Sequence, residues 1–308
     1  MKKISAIFGA FFLSLFFFSS TAFSWGSATH AYIDDQIMKK KGLRNPNEMY
    51  GAMAPDIFNY LIDVPFQKDL SMQKHHQFQK VWEQAKTGTA KALAYGFVSH
   101  NDSWGADSTA HHAGMTTYGL TEGYVVAKAK ELSTIAPLPA NLGIPPDAAL
   151  ELYHNFVESG VDLLVKRLDP SIGDKMIASA LRRSREFPYL LVRAYSADLA
   201  PYFGSPGEAA KAITAAEKEF RKMTILYGQA LLQEEGTALN LVSEQMADLS
   251  EKFLGAYNVP APPKEQTIQL IAFYITVAMT LCESDYAEEI AETQNYVARQ
   301  MSFSATAY

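Results

Sequence analysis

Apolar residues recur at three- and four-residue intervals along most of this chain, and runs that alternate every second residue are few. That period is the helical one, so the pattern predicts an all-α fold, a bundle of many helices. Helices are predicted over residues 29–41, closed by Gly42, and over 47–61, 71–86 and 89–100, with Pro65 and Gly88 as breaks. A further helix is expected over 107–131, weakened by Gly114, Gly119 and Gly123. Residues 136–146 carry four prolines and a glycine and read as a loop, which leads into a strong helix at 147–166 with Asp147 as its cap or first-turn acid. Beyond Pro170 the pattern gives helices near 171–183, 186–197, 205–234, 236–256 and 265–301. The segments Gly204-Ser205-Pro206-Gly207 and 259–263 separate the last three.

The first residues follow a different pattern. Lys2 and Lys3 precede an apolar run over 4–18, and Ala22-Phe23-Ser24 offers small residues where a signal peptidase cuts. Residues 1–24 therefore read as a secretory leader, and the protein is expected to be exported, to the periplasm or beyond. Cutting after Ser24 makes Trp25 the first residue. A free α-amino group has a pKa of about 7.7–8.0, so its nitrogen is available near neutral pH and can chelate a metal together with the carbonyl oxygen of the same residue.

Charge and cysteine narrow the function classes. Removing the leader takes away Lys2 and Lys3 and no acid, moving the formal charge from −6 to −8. Such a chain has no electrostatic footprint for nucleic acid or for an anionic membrane. Cys282 is the only cysteine, which excludes an intramolecular disulfide and reads as a small buried hydrophobe. The apolar run 270–282 is too short to cross a bilayer and is expected to be a core helix, so no transmembrane segment is predicted.

All seven histidines lie between residues 30 and 154. The chemistry is therefore assigned to residues 25–169, with 170–308 as a helical region packed on it across a soft boundary. His154 and Glu158 stand at i and i+4, on one face of a helix, and Asp107 and His111 repeat the device with the acid first. His100 precedes Asp107 by seven residues, so the three share a face if one helix runs through Gly105. Imidazole and carboxylate together suit zinc. Asp56 is an acid in an apolar segment. Of the adjacent pair His75 and His76 only one can face a given site, and His76 is preferred. His30 lies five residues after Trp25, within reach of a metal held there.

In this order the residues resemble the zinc-dependent phospholipase C family and the related single-strand-specific nucleases. Trp-Gly-x-x-x-His at Trp25 to His30 is closer to the nucleases, whereas Ala54-Pro55-Asp56-Ile57-Phe58 resembles the phospholipase branch. Tyr95-Gly96-Phe97-Val98-Ser99-His100 is similar to the helix that delivers a ligand histidine there, and His154-x-x-x-Glu158 matches the family's His-x-x-x-Glu/Asp pair. The likeness covers roughly residues 25–160. It departs at position 104, where Trp104 stands in place of the family's aspartate. The missing acid is Asp102 or Asp107, and Asp107 is preferred; the next ligand is His111 or His112, with His111 preferred.

The resemblance implies a helical fold around three zinc ions. Asp56, His76, His100 and Asp107 would hold one, and His111, His154 and Glu158 a second. Trp25, His30 and a bridging Asp107 would hold the third, with Asp56 also a candidate general base. It implies hydrolysis of a phosphodiester by a phospholipase C, with phospholipid as substrate and transient contact with a membrane surface. A zinc-dependent single-strand nuclease and a non-catalytic exported zinc-binding module are the alternatives.

Overall fold

The computed structural model describes residues 25–42, 44–61, 75–257 and 259–306. Among them helices account for the regular structure and no strand occurs, in agreement with the expected all-α class. Residues 1–24, read above as a leader, Pro65 and the start of the predicted helix over 71–86 lie outside the described residues.

Helix α1 (Ser27–Lys40) is followed by α2 (Pro46–Met53), which Asn45 caps by accepting from the Asn47 N–H at 3.0 Å. The expected helix over 47–61 is α-helical only to Met53. Residues Ala54–Tyr60 form a 3-10 helix, because Pro55 has no N–H for an α-helical bond. Short α3 (Gln79–Gln84) precedes α4 (Gly88–His100), which Thr87 caps. The predicted helix over 107–131 is two: α5 (Ala106–His111) and α6 (Tyr124–Ile135), parted by a turn-rich stretch containing Gly114, Gly119 and Gly123. After the proline-rich loop come α7 (Pro146–Leu168), α8 (Ile172–Arg182), α9 (Phe187–Phe203), α10 (Pro206–Leu231) and α11 (Glu235–Ala256). The predicted helix over 265–301 divides into α12 (Lys264–Cys282) and α13 (Tyr286–Thr306) at a turn over 283–285.

One buried apolar core runs through both halves of the chain. It joins Trp25, Tyr50, Phe97 and Phe156 to Tyr195, Phe220, Ile275 and Val297. Helix α12 is longer than the apolar run that marks it and, at 19 residues, is long enough to cross a bilayer. Its face of Ile271, Tyr274, Ile275, Ala278 and Cys282 is buried, with α7 and α11 packed against the helix. Burial pushes the Cys282 thiol up to about 12, which leaves it inert at neutral pH.

The α2–α4 contact positions the chemistry. Gly51 and Gly96 let the two backbones touch: a Cβ on Gly51 would sit 2.1 Å from the Leu93 carbonyl oxygen, and one on Gly96 1.9 Å from that of Glu48. The close approach brings the end of α4, and His100 with it, beside the end of α2.

Candidate metal centre

The site is assembled where α4 stops. The Asn101 side-chain oxygen accepts from the backbone N–H groups of Ser103 (2.8 Å) and Trp104 (2.9 Å), and its amide donates to the Val98 carbonyl at 2.6 Å. The Gly105 N–H then bonds to the Asn101 carbonyl at 3.0 Å, closing a tight turn ahead of α5. One helical face through His100, Asp107 and His111 is therefore corrected: the helix ends at His100, and the turn, not helical phase, returns Asp107 to it.

Asp107 is fully buried among three imidazoles. Its Oδ1 lies 3.0 Å from His30 Nε2, and its Oδ2 lies 3.1 Å from His100 Nε2 and 3.5 Å from His75 Nε2. His75 is also 3.7 Å from Asp56 Oδ1. The preference for His76 is corrected in the same way: His75 is the buried member of the pair, while His76 is half exposed and 3.8 Å from Asp102. The His100 Nδ1–H donates to the Ala52 carbonyl at 2.7 Å, which turns Nε2 towards Asp107. The rings of His30 and His100 stack with centroids 3.7 Å apart.

Asp102 serves a different histidine. His111 Nδ1–H donates to Asp102 Oδ1 at 2.7 Å, which leaves Nε2 facing inward. That nitrogen is buried and makes no hydrogen bond among the described residues, the condition of an imidazole prepared to ligate a metal. His154 stands beside it, with ring centroids 5.3 Å apart, and its Nε2 is 3.1 Å from Glu158 Oε1 across one turn of α7. His112, the alternative to His111, is half exposed, 3.1 Å from Asp102 Oδ2. Both acids weighed for one position thus have places, Asp107 among imidazoles and Asp102 behind His111.

Among the described residues three groups, each with its donor atoms within 4.8 Å of one another, could hold a metal: His30, His100 and Asp107; Asp56, His75 and His100; Asp102, Asp107 and His111. Electrostatics favour the ligating forms. Burial, reinforced by His100, lowers His30 to about 4 despite the opposing Asp107, so its imidazole is neutral at pH 7. Burial alone would raise Asp107, but His100 and His30 hold its carboxyl well below the usual carboxylate range. Burial likewise opposes ionisation of Asp102, and the hydrogen bond from His111 overrides it.

Trp25 is fully buried at the edge of this cluster, its ring stacked on Tyr124 at 5.5 Å. The sequence did not mark what holds it. Asp162 caps α1 from outside, accepting from the N–H groups of Ala28 (3.0 Å) and Thr29 (2.8 Å), the Thr29 hydroxyl (2.7 Å) and the Tyr227 hydroxyl (3.0 Å). Gly26 permits this approach, because a Cβ there would lie 2.5 Å from the Asp162 carboxylate. His154, Glu158 and Asp162 follow at four-residue steps, so helical spacing was the available signal. On its other side the Trp25 indole N–H donates to Thr109 Oγ1 at 3.0 Å, and Thr109 pairs with Thr293 of α13 at 2.8 Å. Thr293 lies 3.4 Å from buried Glu289, which accepts from the Thr116 hydroxyl at 2.7 Å. No local pattern announces this brace.

The donor set, imidazole nitrogen with carboxylate oxygen and no thiolate, suits a borderline divalent transition metal. Comparison of the chain with family models, with curated proteins and with solved structures finds no match.

Proposed function

We propose that this chain is an exported zinc-dependent phosphodiesterase, a phospholipase C that cleaves the glycerol–phosphate bond of phospholipids such as phosphatidylcholine. The products would be diacylglycerol and a phosphorylated head group. The observation that carries the reading is Asp107, a buried carboxylate within 3.5 Å of imidazoles on three separate segments. A second imidazole–carboxylate set, His111, His154 and Glu158, lies beyond it.

In this reading Asp56, His75, His100 and Asp107 would hold one zinc, and His111, His154 and Glu158 a second. Trp25 and His30, together with Asp107, would hold a third. Zinc in such sites supplies a hydroxide nucleophile at neutral pH and offsets charge on phosphate oxygens. The chain's own residues set the stage. Asp102 and the Ala52 carbonyl fix the tautomers of His111 and His100. The Asp56 side chain keeps a partial opening to solvent (14 %) that Asp107 lacks (0 %), which supports Asp56 over Asp107 as the carboxylate that would accept a proton from attacking water and pass it on.

The test combines metal counting with turnover of p-nitrophenyl phosphorylcholine, a panel of phospholipids and single-stranded DNA, each with and without a chelator. Chelator-sensitive hydrolysis of phosphatidylcholine above DNA is expected. Preference for DNA would move the protein to the nuclease branch. Bound zinc with no turnover of any diester would make it a binding module.

A further inference from the structure

A cleft of about 160 Å³ opens beside the metal centre, and the second half of the chain builds most of it. Gly26, Ser27 and Glu158 are among its lining, so it reaches the residue after Trp25 and the carboxylate that pairs with His154. Its outer walls come from α10 and α11, with Met223, Met246 and Leu249 as the side chains nearest solvent among the apolar ones. Leu249 is 38 % exposed, and Met246 is tied to the residue after Glu158 by the Ser159 hydroxyl, which donates to its sulfur at 3.2 Å.

We infer that this cleft receives one fatty-acyl chain of the substrate, a step that rests on the phospholipase reading above. Three observations carry it. Phe220, Met223, Val242, Met246 and Leu249 give the cleft one apolar, adaptable side, the chemistry that fits flexible hydrocarbon, and Ser27, Ser159, Thr224 and Gln245 give it a polar one. The size matches a slim apolar group, since an apolar cavity of roughly 150 Å³ admits a benzene-sized molecule. The charged side chains lining it among the described residues are the carboxylates Glu158 and Asp162, with no lysine or arginine. A polynucleotide would bring further phosphates to the centre's edge, where only carboxylates meet them, whereas a neutral diacylglycerol moiety brings none. Residues 220–249, to which the sequence assigned no role, thereby acquire one in specificity.

Two measurements test this. The first is kcat/KM on monomeric phosphatidylcholines carrying butanoyl, pentanoyl or hexanoyl chains, for the wild type, Met246→Trp and Leu249→Asn. Wild-type kcat/KM should rise by up to about fourfold per methylene added to the accommodated chain, and both variants should flatten that rise. The second is calorimetric binding of dihexanoylglycerol, which has the chains but no phosphate; both variants should weaken it about tenfold or more. Melting temperatures identify a variant that misfolds, and surface-exposed Leu249→Asn is the safer of the two. Equal chain-length dependence and equal diglyceride affinity in all three proteins would overturn the cleft while leaving chelator-sensitive turnover intact. Diglyceride binding lost in the variants, in a protein that hydrolyses no diester, would keep the cleft and sink the phosphodiesterase.

Discussion

Asp107 and Glu289 are both carboxylates with no exposed surface, yet their surroundings push them in opposite directions. Asp107 sits among His30, His75 and His100, and those imidazoles more than offset the cost of burial. Glu289 sits among the hydroxyls of Thr116 and Thr293 with the carboxylates of Glu292 and Asp285 nearby, and burial raises it to about 7. Depth alone therefore does not identify a functional acid. What separates the two is whether the neighbours can share a cation or only a hydrogen bond.

The largest effect expected from this contrast is at the Asp107 side. Asp107→Asn should weaken zinc retention and diester turnover by more than the roughly 10–100-fold that follows loss of a hydrogen bond behind a ligand. Asp102→Asn should fall within that range, because Asp102 orients His111 through Nδ1. Competition against a chromogenic chelator would rank the two, and the reverse order would place the essential acid at 102.

The next effect belongs to Glu289. Its folded pKa of about 7 lies above the ordinary 4.5, so the folded state holds the proton more tightly. Its favourable contribution is complete below about 4.5 and is lost as pH rises through 7, up to on the order of 3 kcal/mol. Glu289→Gln should remove that slope from denaturant midpoints measured between pH 5 and 8. Unchanged slopes would mean that Glu289 is ionised throughout. Asp107 has the opposite sign in the metal-free protein: its contribution is present above the ordinary carboxylate range and lost as pH falls through its depressed value.

The smallest effect is at Thr293, where the brace from Glu289 reaches Trp25. Thr293→Val removes the hydroxyl that pairs with Thr109 and, at longer range, with Glu289, and should cost about 1 kcal/mol with zinc retained. The Trp25 fluorescence should report a loosened ring. A variant that loses zinc would make α13 part of the metal centre.

Much of the site was legible. Spacing picked out His154 with Glu158, and the crowding of histidine before residue 155 marked the half that carries the donors. The differences lie at two places. Helical phase was extended across 101–105, where Asn101 and Gly105 build a turn. At 75 and 76 the sequence says only that adjacent residues face different ways, and burial, which picks His75, depends on the neighbouring elements. Asp162 was readable from the four-residue steps on α7, but Glu289, Thr293 and the cleft of α10 and α11 had no local signature.

The sequence by itself determined the helical class, most helix boundaries and the kinds of donor group on offer, imidazole and carboxylate, because side-chain periodicity, capping and composition are properties of the chain alone. Only the tertiary structure decided which imidazole meets which carboxylate. Asp107 lies 77 residues from His30 and 7 from His100, yet touches both at nearly equal distance. That meeting depends on two glycines letting α2 and α4 close and on one turn after His100, and neither is visible until the helices pack.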